Sequence, residues 1–368
     1  MLFKNLQTSV VLAVASIFLV FSGCDIFGSD ESNPKVDDVV VVGTQVKSDF
    51  QETGEFGLTA TPLDQGGDAI LKKNVKAEIE LQHESATQGT QIEAHNLDAT
   101  ITIDTKNKPS NNNLVASISM DGSGSMGGSF GSDPNRLRVD GAKAFFDELM
   151  DSGNNFEAGI FEFPGTAPNF QYNSILQDYT GDVDSLKTAS EQVTSGGGTP
   201  MYSALGELLT YSESVRPASK NDKAIVLFAD GQPNTTSERD SVCAQAERLK
   251  SPIYGIGLGP ASDLSDDAQG AAIAEMRYIS SCHPAGAYQG LVKDSLEVIE
   301  EAFKAVATGS SKGSVGMSVK IQSGLDEVQA GGVVQGSVTI ESGGETASGD
   351  FSFRVPASSS TTTMFEFE

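Results

Sequence analysis

Three short stretches of this 368-residue sequence gather oxygen ligands of one kind. Asp121-Gly122-Ser123-Gly124-Ser125 follows an apolar run, Ser195-Gly196-Gly197-Gly198-Thr199-Pro200 precedes a helical pattern, and Asp230-Gly231 comes straight after Ala224 to Ala229 (AIVLFA). Asp121 and Asp230 supply carboxylates, and Ser123, Ser125 and Thr199 supply hydroxyls. All are hard donors, and no imidazole or thiolate is among them. Such a set suits Mg²⁺, Mn²⁺ or Ca²⁺ and disfavours zinc or copper. Only two acidic groups leave a divalent ion with positive charge to satisfy, so an acidic group from a partner could complete its shell. Taken singly, each stretch has a duller explanation. Asp121 and Ser123 could close a Gly-rich turn or cap a helix, Thr199 before Pro200 is a good N-cap, and Asp230-Gly231 is a common turn after a strand. Turn chemistry does not, however, require these oxygens to meet at one edge.

They meet if the surrounding elements form an open parallel sheet. Leu114 to Met120 reads as a strand running into Asp121, and Leu137, Ala142, Phe145, Phe146 and Leu149 recur at helical spacing. Ala158 to Phe163 is a strand, and Met201, Ala204, Leu205, Leu208 and Leu209 mark a helix opened by Pro200. The unbroken run Ala224 to Ala229 predicts a central strand covered on both faces. Val242, Ala246 and Leu249 mark a helix, Ile253 to Leu258 a strand, and Leu296, Ile299, Phe303 and Val306 a last helix. Strands alternating with amphipathic helices predict an α/β fold: a doubly wound, mainly parallel sheet with helices on both faces, over residues 112–309. In such sheets ligands bind beyond the carboxyl ends of the strands, where all three stretches fall.

The same three stretches, in this order and at these positions, resemble the metal-ion-dependent adhesion site of von Willebrand factor A domains. The resemblance covers a little over half the chain. It implies one divalent cation, Mg²⁺ first among candidates, with Ser123 and Ser125 ligating directly and Thr199 directly or through water. Asp121 and Asp230 would hold coordinated waters and orient the hydroxyls, and a partner's carboxylate would take the open position. The stretch Gly127 to Asp133 is longer than in the shortest family versions, so the rim near the metal is individual to this chain.

Catalytic alternatives fit less well. Gly127-Gly128-Ser129-Phe130-Gly131 matches Gly-x-Ser-x-Gly, but a nucleophile elbow needs the strand to run directly into its serine and acid and histidine partners downstream, where only His283 lies. Ser195 to Thr199 lacks the Gly-Lys-Ser/Thr ending of a nucleotide-phosphate loop. His83, His95 and His283 are far apart and show no metalloprotease spacing. The sequence therefore predicts a binding protein rather than an enzyme, with no small-molecule substrate evident.

On either side the texture is β. Val39 to Val46, Phe56 to Thr61, Val75 to Leu81 and Ile92 to Ile103 lie in a segment over 39–108, and Val315 to Ile321, Val333 to Ile340 and Phe351 to Val355 lie in one over 313–368. Three or four short strands make a marginal sheet alone, so the two segments are expected to build one immunoglobulin-like β-sandwich into which the α/β unit is inserted.

The N-terminus reads as a targeting segment over 1–23: Lys4, then the apolar core Ser9 to Phe21, too short for a membrane span of roughly 20 apolar residues. Phe21-Ser22-Gly23-Cys24 resembles the lipobox of bacterial lipoproteins, which implies that Cys24 carries a lipid and that 24–38 is a tether. The protein is thus expected to be exported and anchored in a membrane, periplasmic or at the cell surface. Cys243 and Cys282 then remain as an even pair in a compartment that permits disulfides; they could be bridged or be two buried thiols. With 50 acidic against 24 basic residues, net charge −26, nucleic acid is an unsuitable partner. Cations, basic partners and a salty environment all accommodate such a surface. Two readings follow: a lipid-tethered, cation-dependent protein-binding or adhesion module, and a structural subunit of a periplasmic or surface assembly whose metal site is mainly structural.

Overall fold

A computed structural model of the chain describes residues 34–356 apart from 48, 72–74, 87–91, 110–112, 130, 232, 259–266, 291–295 and 331. The expected leader, Cys24 and the tether as far as Asn33 lie outside the described residues.

The chain begins with β1 (Val36–Val46), a single helical turn α1 (Phe50–Thr53), β2 (Glu55–Asp64), β3 (Lys76–Ala86) and β4 (Ile92–Asn107). The α/β part follows as β5 (Asn113–Asp121), α2 (Leu137–Asp151), β6 (Asn155–Phe163), β7 (Ser174–Thr180), α3 (Val183–Ser190), α4 (Met201–Val215), β8 (Asp222–Ala229), α5 (Arg239–Arg248), β9 (Ile253–Gly257), α6 (Asp267–Ser280), β10 (Ala287–Gly290) and α7 (Leu296–Lys312). It ends in β11 (Ser314–Ser323), β12 (Val333–Ser342) and β13 (Glu345–Arg354).

The central sheet runs β10-β9-β8-β5-β6-β7, parallel except at the edge strand β7. Alternation along β5 explains its central place. Leu114, Ala116, Ile118 and Met120 face a core with α2, α3 and α7, while Val115 turns to the opposite core with α4, α5 and α6. Numbered within the α/β part, the strand order is 3-2-1-4-5-6 reversed in direction of listing, so the winding changes sense between β5 and β8. A doubly wound sheet opens a crevice at that point, beyond the carboxyl ends of the two strands. Asp121 ends β5, and Asp230 follows the last residue of β8.

The flanking strands interleave. β11 lies between β2 and β4, and β12 pairs with both β3 and β13, so strands from before and after the α/β part alternate. Long β4 serves both halves of this body: Ile92 to Leu97 pairs with β3, and Asp98 to Asn107 with β11. One apolar core spans them, with Phe353 against Phe56 at 4.8 Å and against Phe50 at 5.3 Å between ring centroids.

One boundary differs from expectation. β1 starts at Val36, not at 39, because Val36 is buried in the sandwich core, so the last three tether residues belong to the strand. The flanks join the α/β sheet, since β1 pairs with β10 at Thr44 and Tyr288 and makes the strands continuous. The register shifts between Val41 and Gly43, where a Cβ would stand 2.7 Å from the Tyr288 carbonyl oxygen; glycine lets β1 pass that close.

Candidate metal centre

Asp121 is fully buried at the end of β5. Its Oδ1 accepts the Ser123 N–H at 2.8 Å, which turns the chain back over the strand end, and its Oδ2 is buried with no hydrogen-bond partner. Ser123 is buried, Ser125 is exposed, and their hydroxyls lie 3.0 Å apart. Asp230 is buried beyond β8, and Ser132 Oγ donates to its Oδ2 at 3.1 Å. Burial, reinforced by the negative charge of Asp230, pushes the Asp121 carboxyl up to about 7, against the pull of Ser123 and Arg138. Two buried carboxylates in mutual repulsion, one with an unpaired oxygen, are what a cation would relieve.

The third loop is stitched to the first two by backbone. Gly196 N donates to Gly122 O at 2.7 Å, Gly124 N to Gly197 O at 3.0 Å, and Gly122 N to Phe163 O at 2.6 Å. Thr199, buried, is tied to the loop after β8 from both sides: its N–H donates to Asn234 Oδ1 and its carbonyl accepts from Asn234 N, both at 2.9 Å. The five expected residues therefore stand on three loops that touch at one edge of the sheet. Among the described residues no three His, Cys, Asp or Glu side chains gather as a metal cage, so a cation here depends on hydroxyls. The donor set, the orphaned Asp121 Oδ2 and the repulsion between the two aspartates fit a hard divalent ion.

Two buried charged residues behind the site were not singled out in the sequence. Glu162, next to last in β6, accepts from the N–H and, at 2.8 Å, the hydroxyl of Thr194. It lies under the Asp121 turn, where a Cβ on Gly122 would come within 2.5 Å of its Oε1. Arg138, in the first turn of α2, is 1% exposed and pairs with buried Asp133 at 2.6 Å. Its other nitrogen donates to Thr194 O and Ser195 Oγ, each at 3.1 Å. Asp133 also accepts the N–H groups of Leu137 and Arg138, capping α2. Both had a sequence cue: Glu162 is the one acid in the otherwise apolar run Ala158 to Phe163, and Arg138 sits at i−4 and i−7 from core residues Ala142 and Phe145. Ser129 of the Gly-x-Ser-x-Gly match lies in a turn after the short 3₁₀ segment Gly124–Met126, so no strand runs into it.

Cys243 of α5 and Cys282 just after α6 are joined by a disulfide. His83 is buried in β3, distant in sequence and element from the site, and no helix of the described residues is long and apolar enough to cross a membrane.

No family model matches the chain, and no curated protein matches it. Among solved structures, a von Willebrand factor type A protein from Catenulispora acidiphila is similar at 12% identity and TM-score 0.40, covering 91% of this chain and 76% of that one. An aerotolerance-related membrane protein from Bacteroides fragilis is similar at 18% identity and TM-score 0.38, covering 53% of this chain and 98% of that one. Manganese-loaded TRAP protein from Plasmodium vivax is similar at 15% identity and TM-score 0.38, covering 67% and 96%.

Proposed function

We propose that this chain is an exported, lipid-anchored, divalent-cation-dependent protein-binding module of the von Willebrand factor A type, whose metal site accepts an acidic group from a partner, and that it is not an enzyme. The observation that carries the proposal is the buried, unpartnered Oδ2 of Asp121 at the topological switch point, facing repulsion from Asp230, in the loop whose Ser123 and Ser125 hydroxyls lie 3.0 Å apart. A bound Mg²⁺, Mn²⁺ or Ca²⁺ would supply a positive charge with an open coordination position. The chain's own residues do the rest. Ser123, Ser125 and Thr199 offer neutral ligands, so charge is left over for an incoming carboxylate, and Asp121 and Asp230 orient those hydroxyls and their waters.

The three loops are joined by backbone hydrogen bonds at Gly122, Gly124, Gly196 and Thr199 that use none of the ligating hydroxyls. That supports a site whose shape does not depend on the ion, and so a binding role over a purely structural one. Titration calorimetry with Mg²⁺ or Mn²⁺ tests the reading: Asp121→Ala and Ser123→Ala are expected to lose cation binding while melting cooperatively. Affinity equal to the parent's in both variants would refute the site. EDTA is expected to leave the melting temperature nearly unchanged; collapse of the fold on chelation would favour the structural-subunit alternative.

A further inference from the structure

The rim segment after the Asp-x-Ser-x-Ser stretch is folded back onto the site rather than left as a free loop. Ser132 N donates to Ser125 O at 2.8 Å and Asp133 N to Met126 O at 3.2 Å, so two successive residues lie against the loop that bears the serine hydroxyls. The Ser132 side chain then crosses to a different loop and donates to Asp230 Oδ2 at 3.1 Å. The adjacent Asp133 is fixed by Arg138, whose guanidinium reaches Thr194 O and Ser195 Oγ at the start of the third loop. One dipeptide therefore touches two loops of the site directly and reaches the third through Arg138.

We infer that Ser132 is a positioning residue for the cation: its hydroxyl fixes the rotation of the Asp230 carboxylate and, through the Asp133–Arg138 pair, keeps that carboxylate in register with the loop that carries Thr199. This rests on the metal-site reading above and adds to it a residue outside the Asp-x-Ser-x-Ser, Thr and Asp pattern. A carboxylate that orients coordinated water must hold its plane, and with Asp230 2% exposed, bulk solvent is not available to replace the Ser132 donor. Outer groups that orient metal-site carboxylates change cation affinity by roughly 10- to 100-fold when removed. The Ser132 main chain bonds to Ser125, so an alanine keeps the rim fold and removes only the hydroxyl.

The test is calorimetric titration of Mg²⁺ and of Ca²⁺ into the full chain as parent, Ser132→Ala, Ser132→Thr and Asp230→Ala, with melting temperatures taken in EDTA. Expected are Mg²⁺ binding by the parent, a loss of about 10-fold in Ser132→Ala with the EDTA melting temperature within about 2 °C of the parent, and recovery in Ser132→Thr. The ratio of Mg²⁺ to Ca²⁺ affinity is expected to fall in Ser132→Ala, because Mg²⁺ demands the stricter geometry; a merely structural role would not move it. Parent-like Mg²⁺ affinity in Ser132→Ala alongside lost binding in Asp230→Ala overturns the inference and leaves the site standing. No binding by the parent removes the site and the inference together.

Discussion

Arg138→Met, measured in EDTA so that no cation contributes, isolates the buried pair behind the site. Arg138 and Asp133 side chains are each 1% exposed, so the substitution leaves a carboxylate in the interior without its counter-ion. Breaking a buried pair from one side costs about 3–5 kcal/mol. Asp133 keeps the Leu137 and Arg138 N–H donors, which places the expected loss near the lower end, about 3 kcal/mol. Thr194 O and Ser195 Oγ each lose a donor in the same change, which prevents it from being smaller. In a body of this size, with roughly 2 cal/mol/K of unfolding entropy per residue, that corresponds to a fall in melting temperature of about 4–5 °C. Adding Asp133→Asn to the Met variant removes the stranded charge, retains an acceptor for Leu137 N and is expected to recover about half of the loss.

The loss also has a definite pH dependence. Burial already holds the Asp133 carboxyl above its ordinary 3.8, against the pull of Arg138, and methionine removes that pull. A carboxyl whose folded pKa is raised favours the fold most below its unfolded value and loses that contribution as pH rises through the folded value. The deficit of Arg138→Met relative to parent should therefore be smallest near pH 4 and grow toward neutrality. Urea titrations at the two ends decide the matter. A deficit independent of pH, or an Asp133→Asn change that adds to the loss instead of reducing it, would refute the account of the pair.

Other outcomes are expected elsewhere. Gly141→Ala in α2 should destabilise by about 1–3 kcal/mol in thermal melts, since a Cβ there would lie 2.2 Å from Phe303 Cε2 in α7. Replacing Cys243 and Cys282 by serine removes a link across 39 residues and should cost up to about 4 kcal/mol by loop-closure entropy, read from denaturant midpoints against the oxidised parent. A chain ending at residue 312 lacks β11, which sits between β2 and β4; limited proteolysis should cut β1 to β4 rapidly in that chain, and protected strands there would show that the N-terminal segment folds alone.

Much of the site could be read in the sequence because its chemistry is local. Asp121, Ser123 and Ser125 lie within five residues, Thr199 follows Gly196-Gly197-Gly198, where the backbone approaches Gly122 and Gly124, and Asp230 is followed by Gly231. The apolar run of β8 and the helical spacing of α2 and α4 likewise follow from periodicity. Edge strand β7, helices α3 and α6 and the four-residue strand β10 are not legible in the sequence, β7 and α3 for a plain reason. Ser174–Thr180 is half-exposed with no clean alternation, and Val183–Ser190 is eight residues long, so neither carries enough apolar pattern to be distinguished from a loop.

By itself the sequence determined an alternating α/β unit between two β segments and a set of hard oxygen donors in three loops, because side-chain type and periodicity are properties of the chain; that the Thr199 loop joins two helices, α3 and α4, and does not follow a strand was decided by the fold. Tertiary structure alone decided three further things. It set the order in which β11 and β12 pair with β2, β3 and β4 in the expected joint body, since strand pairing joins residues more than 200 apart. It carried β1 across to β10, because Gly43 permits a contact that no local pattern encodes. It also brought Ser132, Glu162 and Arg138 against the three loops of the candidate site, since a buried polar group must find its partner in space and its neighbours in sequence do not name that partner.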